Sequence, residues 1–325
     1  MRARLKRYWF LIGMTAAIGG GFVFPETSRA YQRSGLVDWA IALVMFCGGL
    51  TLATDHILRQ FHNWRAVLLS VLMMFVLAPL VIWLGCAPLW LFPGEQSSQL
   101  YMGFMILAAQ SCTLGSGIVI STIARGNVPL ALVITVLNSL LAAVLTPLIL
   151  RLTLATQVSF DVLALTGKLA LIIFLPVVLG QLARPVVARW LGVVPWLPAL
   201  LTQLVILSLI FMAVGTAAEW LTRSPWLVLG LAGWILALHV AVLAVNYVTA
   251  TLITRDQPSR RSLMLCASQK TLATGSYVWA RHFVVNPLGG IPLLFYHVVQ
   301  LVFDSLLAHW LARQDANPGR SSHVT

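Results

Sequence analysis

Two polar, glycine-rich stretches interrupt the apolar runs of this chain: residues 108–119 read AAQSCTLGSGIV, and residues 266–278 read CASQKTLATGSYV. With Ala109 aligned on Ala267, both follow the pattern A-x-x-x-T-L-x-[ST]-G, about half of the 325-residue chain apart. A helix in lipid must satisfy its own backbone, and such clusters suit a regular helix poorly. Both stretches therefore predict a break in a transmembrane helix. Close packing of helices through small residues is the alternative.

The composition sets the class of protein. Apolar residues make up 59% of the chain, charged residues 9%, and the mean hydropathy is +0.90. Soluble globular chains carry about 25% charged residues, so an ordinary soluble enzyme is excluded, and the abundant large apolar residues exclude disorder. We expect an all-α polytopic membrane protein. The net charge of +12 fits basic cytoplasmic loops, so no nucleic-acid partner is expected.

Apolar runs bounded by charged residues, Pro or Gly predict ten transmembrane helices, at residues 8–24, 36–54, 65–85, 100–124, 128–150, 162–183, 197–218, 226–253, 261–281 and 288–311. Ten helices divide into two sets of five, and an odd number inverts the second set relative to the first. The predicted organisation is a first repeat at 1–153, a second inverted repeat at 154–312 and a cytoplasmic tail at 313–325.

The basic residues orient these helices, because Lys and Arg collect on cytoplasmic loops. With both termini in the cytoplasm, the outer side holds only Arg29, Arg33, Arg151, Arg223 and Arg281. The inner side then holds Arg2, Arg4, Lys6, Arg7, Arg59, Arg65, Arg125, Arg184, Arg189, Arg255, Arg260, Arg261, Arg313 and Arg320. This bias favours ten helices that cross the cell membrane, and we expect this to be a bacterial inner membrane. Lys168 and Lys270 fall within helices.

Several motifs resemble the bile acid:sodium symporter superfamily. Residues 46–52 (FCGGLTL) are similar to its G-L-T-L element, and residues 103–127, which end in A-R-G-N, resemble its fourth-helix signature. The L-T-P at 145–147 matches its fifth helix, and the S-Q-K-T-L at 268–272 resembles its SBF-like branch. The resemblance covers nearly the whole chain in the same order.

This resemblance implies a fold and a function. The family fold has a panel domain (helices 1, 2, 6 and 7) that faces a core domain (helices 3, 4, 5, 8, 9 and 10), in which helices 4 and 9 are broken and cross. It implies secondary active transport of a small organic anion by alternating access, with the lipid bilayer as the other partner. No cofactor is expected, and sodium or a proton is the possible coupling ion.

The chain departs from the sodium-coupled members at the positions that matter for sodium. Gly117 and Ile118 stand where those members have Ser-Asn, Met74 where they have Gln, Leu265 about where they have Glu, and Lys270 where they have Asn. Sodium is a hard cation that needs several oxygen ligands. The resemblance therefore implies an absent or altered sodium site. Lys270 could be a fixed positive charge, a proton carrier or an attractant for the anion.

The candidate binding residues are the polar side chains of the two expected breaks and their neighbours. They are expected to supply donors and acceptors to the substrate or coupling ion: Gln110, Ser111, Thr113, Ser116, Thr135, Asn138, Ser268, Gln269, Lys270, Thr271 and Thr274. Asp304 is expected to be a charge partner of Lys270 or Lys168. No catalytic residue and no metal site are expected, and the four cysteines are interpreted as buried thiols.

Two other functions remain open. A protein of this fold that lost coupling would be a non-transporting regulator or sensor. An intramembrane serine hydrolase would use Ser116 with His239 as its base, although the G-x-S-x-G motif is absent. The identity of the substrate and the oligomeric state are open as well.

Overall fold

The computed structural model of the chain describes residues 2–51, 64–154, 161–223, 225–283 and 286–316. Helices account for 88% of the structure, and no strand occurs in these ranges. The all-α prediction is therefore confirmed. Arg59, Arg320 and Leu52 of the G-L-T-L element lie outside the described residues, as do residues 317–325 of the predicted tail.

The first half of the chain forms nine helices over its described residues. They are α1 (Arg2–Val23), α2 (Pro25–Arg33), α3 (Leu36–Thr51), α4 (Trp64–Leu72), α5 (Ala78–Gly85), α6 (Ala87–Leu91), α7 (Glu95–Ala108), α8 (Ser116–Ile123) and α9 (Val128–Leu154). A π-helical turn, Met73–Leu77, joins α4 to α5. Such turns shift the backbone hydrogen-bond register and occur often at functional sites.

The described part of the second half forms α10 (Val162–Leu169), α11 (Leu175–Val193), α12 (Leu197–Thr216), α13 (Ala218–Arg223), α14 (Pro225–Ile253), α15 (Gln257–Ser268), α16 (Leu272–His282) and α17 (Gly290–Ala316). Aspartate side chains fix where two of these helices begin. Asp161 accepts hydrogen bonds from the backbone of Leu163 and Ala164 at the start of α10, and Asp256 accepts one from Ser259 at the start of α15.

Six helical stretches in the described ranges are long and apolar enough to cross a membrane: Trp64–Leu91, Val128–Leu154, Val162–Val187, Leu197–Thr216, Pro225–Ile253 and Gly290–Asp315. A seventh is added if Pro25–Arg33 and Leu36–Thr51, bent by 74°, form one span. The predicted fourth and ninth spans do not reach the required length because each is divided, into helices of 14 and 8 residues and of 12 and 11 residues. The count of ten spans stays a prediction.

The helices pack in two groups. The small helix group consists of α1, α2, α3, α11 and α12, which pack chiefly on one another. The large helix group consists of α4, α5, α7, α8, α9, α14, α15 and α17. Helix α16 contacts α3 and α12 of the small group and α7 and α17 of the large group. It therefore lies at the border between the two groups.

Glycines bring α3 and α11 into backbone contact within the small helix group. A Cβ added to Gly49 would lie 3.0 Å from the carbonyl carbon of Val177, and one added to Gly180 would lie 2.9 Å from the backbone nitrogen of Leu50. The side chain of Gln181 donates to the carbonyl oxygen of Gly49. No side chain fits between the two helices here, as in small-residue packing of membrane helices.

Gly49→Ala is expected to destabilise the protein, because the new methyl group forces α3 and α11 apart at a cost of about 1–3 kcal/mol. Thermal unfolding of the detergent-solubilised protein measures the effect as a lower midpoint temperature. The control is Gly167→Ala in α10, where an added Cβ has no neighbour within 4 Å. Equal midpoints for the two variants would contradict the close contact.

Candidate functional site

The two interruptions lie where the polar stretches predict them, and they touch. Helix α7 ends at Ala108 and α8 begins at Ser116, while α15 ends at Ser268 and α16 begins at Leu272. The backbone N–H of Thr271 in the second break donates to the carbonyl oxygen of Ser111 in the first, at 2.8 Å. A backbone-to-backbone bond therefore joins the two breaks, and we call the residues around it the crossing.

The end of α7 is hydrogen-bonded completely. Every carbonyl from Met105 to Ser111 has a donor within 3.1 Å. Such a count matters because an unpaired carbonyl in an apolar interior is costly, and the last carbonyls of a helix have no partner within it. The donors are the backbone N–H groups of Ala109, Gln110 and Thr271 and the side chains of Gln110, Thr146 and Lys270.

Lys270 supplies the charge in this arrangement. Its side chain is 1% exposed, and its Nζ donates to the carbonyl oxygens of Met74, Ala108 and Gln110, each at 2.9 Å. An ammonium has three N–H donors, whereas a neutral amine has two donors and a lone pair. Three carbonyl acceptors therefore match the charged form. The negative end of the α7 dipole also favours a cation here.

Gln300 of α17 holds the backbone of Lys270 in the second break. Its Oε1 accepts from the N–H of Lys270 at 2.8 Å, and its Nε2 donates to the carbonyl oxygen of Lys270 at 2.9 Å. The amide thus replaces the neighbouring strand or turn that an isolated peptide unit would need. His297, one turn earlier on α17, contacts the same amide through Nδ1 at 3.1 Å.

A second network runs from the first break into α17. Gln269 Oε1 lies 2.6 Å from the hydroxyl of Thr113 and 3.0 Å from that of Ser116, and the two hydroxyls contact each other. The two hydroxyl hydrogens serve two of these three contacts. Gln269 Nε2 donates to Asp304 Oδ2 at 3.1 Å. The other oxygen of Asp304 lies 2.7 Å from Nε2 of His239 on α14.

The expected pairing of Asp304 with Lys270 or Lys168 is wrong. The carboxylate bonds to His239 and Gln269, and the ammonium of Lys270 bonds to carbonyl groups. The carbonyl groups at a helix end are strong neutral acceptors, so the ammonium of Lys270 needs no carboxylate partner. Asp304 is 0% exposed, so it is a buried carboxylate with a histidine partner.

The remaining candidates divide between the crossing and its surroundings. Thr274 at the start of α16 donates to Gln110 Oε1 at 2.8 Å, which ties the two breaks together again. Ser268 bonds to Asn246 and accepts from the Tyr296 hydroxyl through its carbonyl oxygen. Thr135 lies against Gly117, and its hydroxyl bonds to Leu132 O within α9. Asn138 bonds to Ser70 of α4, away from this network.

The crossing opens on a cavity of about 710 Å³ between the two helix groups. The first turns of α8 and α16 face it, through residues 115–116 and 271–274, and α1, α3, α12 and α17 contribute largely apolar side chains. Among the described residues that line it there is no Asp, Glu, Lys or Arg. Lys270 and Asp304 therefore lie behind the cavity wall.

Four residues of the site were not identified from the sequence. Met74 was noted only as a departure and Thr146 only as part of L-T-P, yet Met74 supplies a carbonyl to Lys270 and Thr146 donates to Ala109 O. Gln300 belongs to none of the predicted motifs, and His239 was named only as the base of the alternative hydrolase. A polar residue inside a predicted apolar helix was the available signal for the last two.

The match to known proteins agrees with this geometry. The model of the SBF-like CPA transporter family matches residues 8–313. The chain belongs to this family. An uncharacterized protein of Pseudomonas aeruginosa is 31% identical over 306 residues, which are 87% of either chain. Sodium/bile acid cotransporter 7 of Mus musculus is 24% identical over 334 residues, 94% of this chain and 92% of its own.

A plant relative is the probable sodium/metabolite cotransporter BASS4 of Arabidopsis thaliana, 23% identical over 339 residues, which are 93% of this chain and 72% of the relative. The resemblance to the bile acid:sodium symporter superfamily is confirmed, and family and relatives support a multi-pass membrane transporter of that type. A transporter family points away from an enzyme. Ser116 and His239, the two residues of the hydrolase alternative, do not bond to each other. The hydroxyl of Ser116 contacts Thr113 and Gln269, and His239 bonds to Asp304.

Lys270→Met is expected to destabilise the protein. The substitution leaves the carbonyl groups of Met74, Ala108 and Gln110 buried without this donor, at about 1–3 kcal/mol for each group. Thermal unfolding in detergent should show a midpoint lower by roughly 5 °C or more. Lys168→Met on the exposed face of α10 is the control. If both variants unfold at the wild-type temperature, Lys270 does not hold the crossing together.

Proposed function

We propose that the protein is a secondary active transporter that carries a small organic anion across the cell membrane by alternating access. The observation that carries the proposal is the meeting of two helix N-termini, α8 and α16, at one cavity between two helix groups. Neither N-terminus has a side-chain cap. Free N–H groups at the positive end of a helix dipole bind anions.

The lining of the cavity favours an organic anion over an inorganic one. Hydroxyl groups of Thr113, Ser116, Thr271 and Thr274 lie beside the helix N-termini, and the opposite walls are largely apolar. Organic ligands bind in such concave, mainly apolar sites with a few polar groups that orient them. The absence of carboxylates from the described lining keeps repulsion of an anion low. A cavity of about 710 Å³ has room for a molecule of drug size.

The crossing does not fit a sodium ion. Sodium needs several oxygen ligands, and the carbonyl groups of Met74, Ala108 and Gln110 already accept from the ammonium of Lys270. A second cation placed near that ammonium is repelled. We therefore propose that Lys270 is a fixed positive charge that holds the broken helices together, and that transport is independent of sodium.

The proposed topology is ten spans in two inverted five-helix repeats, residues 1–153 and 154–312, with both termini in the cytoplasm. The division into a small and a large helix group supports it, because these groups contain, apart from α10 and α16, the helices that the resemblance assigns to panel and core. The matching breaks at residues 109–115 and 269–271 also support it, since broken helices in corresponding positions of two halves are typical of such transporters.

The cavity lies toward the side where the cytoplasm is proposed. Its lining includes Phe10 of α1, Thr51 at the end of α3 and His309 near the end of α17. On the opposite side, Arg281 at the end of α16 bonds to Asp38 at 2.7 Å and to the carbonyl oxygen of Ser34, in the bend between α2 and α3. This arrangement corresponds to an inward-open form that is closed on the outer side.

Uptake into proteoliposomes tests the proposal. Labelled taurocholate and labelled short monocarboxylates are offered with the sodium gradient and the pH gradient varied separately, and protein-free liposomes are the control. We expect saturable uptake of at least one of these anions, unchanged when sodium is replaced. Binding without transport would indicate a regulator of the same fold. The absence of saturable uptake under every gradient contradicts the transporter.

Ile118 offers a matched pair of variants in the cavity wall. It lies in the first turn of α8, and Ile118→Asp places a carboxylate beside the proposed anion site, whereas Ile118→Asn adds a neutral group of the same size. Repulsion between two charges near a protein surface reaches about 4 kcal/mol at 4 Å. The apparent KM for the transported anion should rise at least tenfold, by about 1.4 kcal/mol, in the Asp variant relative to the Asn variant. Equal values would place the anion elsewhere.

A further inference from the structure

We infer that Asp304, with His239, is a proton-binding site that couples anion movement to protons. The inference rests on the proposed transport function and names its coupling ion. The two side chains are 0% exposed and lie behind Gln269 as seen from the cavity. Through Gln269 they reach the hydroxyls of Thr113 and Ser116, which line the cavity.

The hydrogen bonds show which groups carry protons in this structure. An ionised carboxylate only accepts, and Asp304 accepts from Gln269 Nε2, so Gln269 turns its NH₂ group toward Asp304 and its oxygen toward the hydroxyls. His239 has no partner at Nδ1 among the described residues. A neutral imidazole that donates from Nε2 to Asp304 leaves Nδ1 without a proton. An imidazolium would bury an unpaired N–H that carries charge, which costs more.

A proton taken up from water therefore binds to Asp304 Oδ2, the oxygen that faces Gln269. That oxygen becomes an O–H donor and needs an acceptor, because an unpaired buried donor is costly. A half-turn of the Gln269 amide provides it, since Oε1 then accepts from Asp304. The same rotation presents Nε2 to Thr113 and Ser116.

The hydroxyl groups respond to this rotation. In the unprotonated form both hydroxyl hydrogens are used among Thr113, Ser116 and Gln269 Oε1, so only lone pairs face the cavity. In the protonated form both hydroxyls accept from Nε2, and at least one O–H group is free to donate to a ligand. Protonation of Asp304 thus gives the cavity wall a donor for an anion.

The charge balance acts in the same direction. The Lys270 ammonium and the Asp304 carboxylate offset each other in the unprotonated form. Uptake of one proton leaves one positive charge, which a bound anion neutralises. Proton and anion therefore favour each other's binding, and by linkage each raises the affinity for the other by the same factor. The two species would cross together, as in symport.

Other titratable groups surround the pair in the described part of the chain. The centroid of the Tyr296 ring, on α17, lies 5.0 Å from the centroid of the His239 ring. Cys112 of the first break and Cys266 of α15 lie beside the crossing. Phenol and thiol groups lose their protons only in alkaline solution. His297 lines the cavity and contacts Gln300, so it is included as a control variant.

A ligand-free measurement tests the proton site. Infrared difference spectra of the detergent-solubilised protein, recorded on acidification, should contain the C=O stretch of a buried protonated carboxyl. The band should be lost in Asp304→Asn and retained in Asp315→Asn. Asp315 lies near the end of α17, the helix that carries Asp304, and its carboxylate bonds to Arg261 of α15. A wild-type spectrum without the band, or a band that persists in Asp304→Asn, overturns the inference.

A binding measurement tests the coupling. Taurocholate is the probe because its sulfonate stays ionised, so any pH dependence belongs to the protein. Its affinity should be about tenfold higher in acid than in alkaline solution in the wild type and in His297→Gln. Asp304→Asn should bind with one affinity at both pH values, exchange the anion across liposomes and fail to accumulate it on a pH gradient.

The outcomes separate the inference from the proposed function. No binding or exchange of taurocholate or monocarboxylates by the wild type contradicts the transporter. Transport by the wild type with no effect of pH, or a pH dependence that survives in Asp304→Asn, contradicts only the proton site. If Asp304→Asn unfolds, Gln269→Met replaces it: the pH dependence of binding should be weaker than in the wild type, because the hydroxyl groups no longer respond to the proton, and an unchanged pH dependence contradicts the inference.

Discussion

The structure depends on the hydrogen bonds that a broken helix loses inside a membrane. At the end of α7 the carbonyl groups have no following turn, and lipid offers them no donor. Lys270 meets this need with three N–H groups at 2.9 Å from three carbonyl oxygens. The charge is tolerated because its acceptors are already the negative end of a helix. An ammonium thus replaces a turn of helix and joins the π-helical turn after α4, the end of α7 and the second break at one point.

The position of the Lys270 ammonium determines how the helix ends around it are oriented. The ammonium faces the carboxyl end of α7, so the amino ends of α8 and α16 are left to face the cavity. The buried acid is placed against His239 and Gln269, where it receives hydrogen bonds without neutralising the ammonium. The site therefore separates a structural charge from a buried acid, and the Gln269 amide with the hydroxyls of Thr113 and Ser116 stands between that acid and the cavity.

The sequence predicts the parts of this arrangement that are local. Polar and glycine-rich composition locates both breaks, and the position of Lys270 inside a predicted apolar helix makes it a candidate functional residue. The partners of Lys270 could not be predicted, because Met74, Ala108 and Gln110 contribute backbone oxygen atoms that are the same in every residue. Asp304 was assigned by charge alone, and that choice ignored a neutral histidine and an amide from distant helices. Span counting is limited for the same reason, since a broken helix is too short to pass as a span.

Helix α16 reaches from the cavity to the bend between α2 and α3. Its first turn faces the cavity, and its last turn carries Arg281, which binds Asp38 and the bend between α2 and α3. A helix of 11 residues is a stiff rod about 16 Å long. In the proposed transport cycle, a ligand that tilts the first turn would also move the guanidinium at the far end. The rod would then link occupancy of the cavity to the contacts of Arg281 without a chain of intermediate contacts.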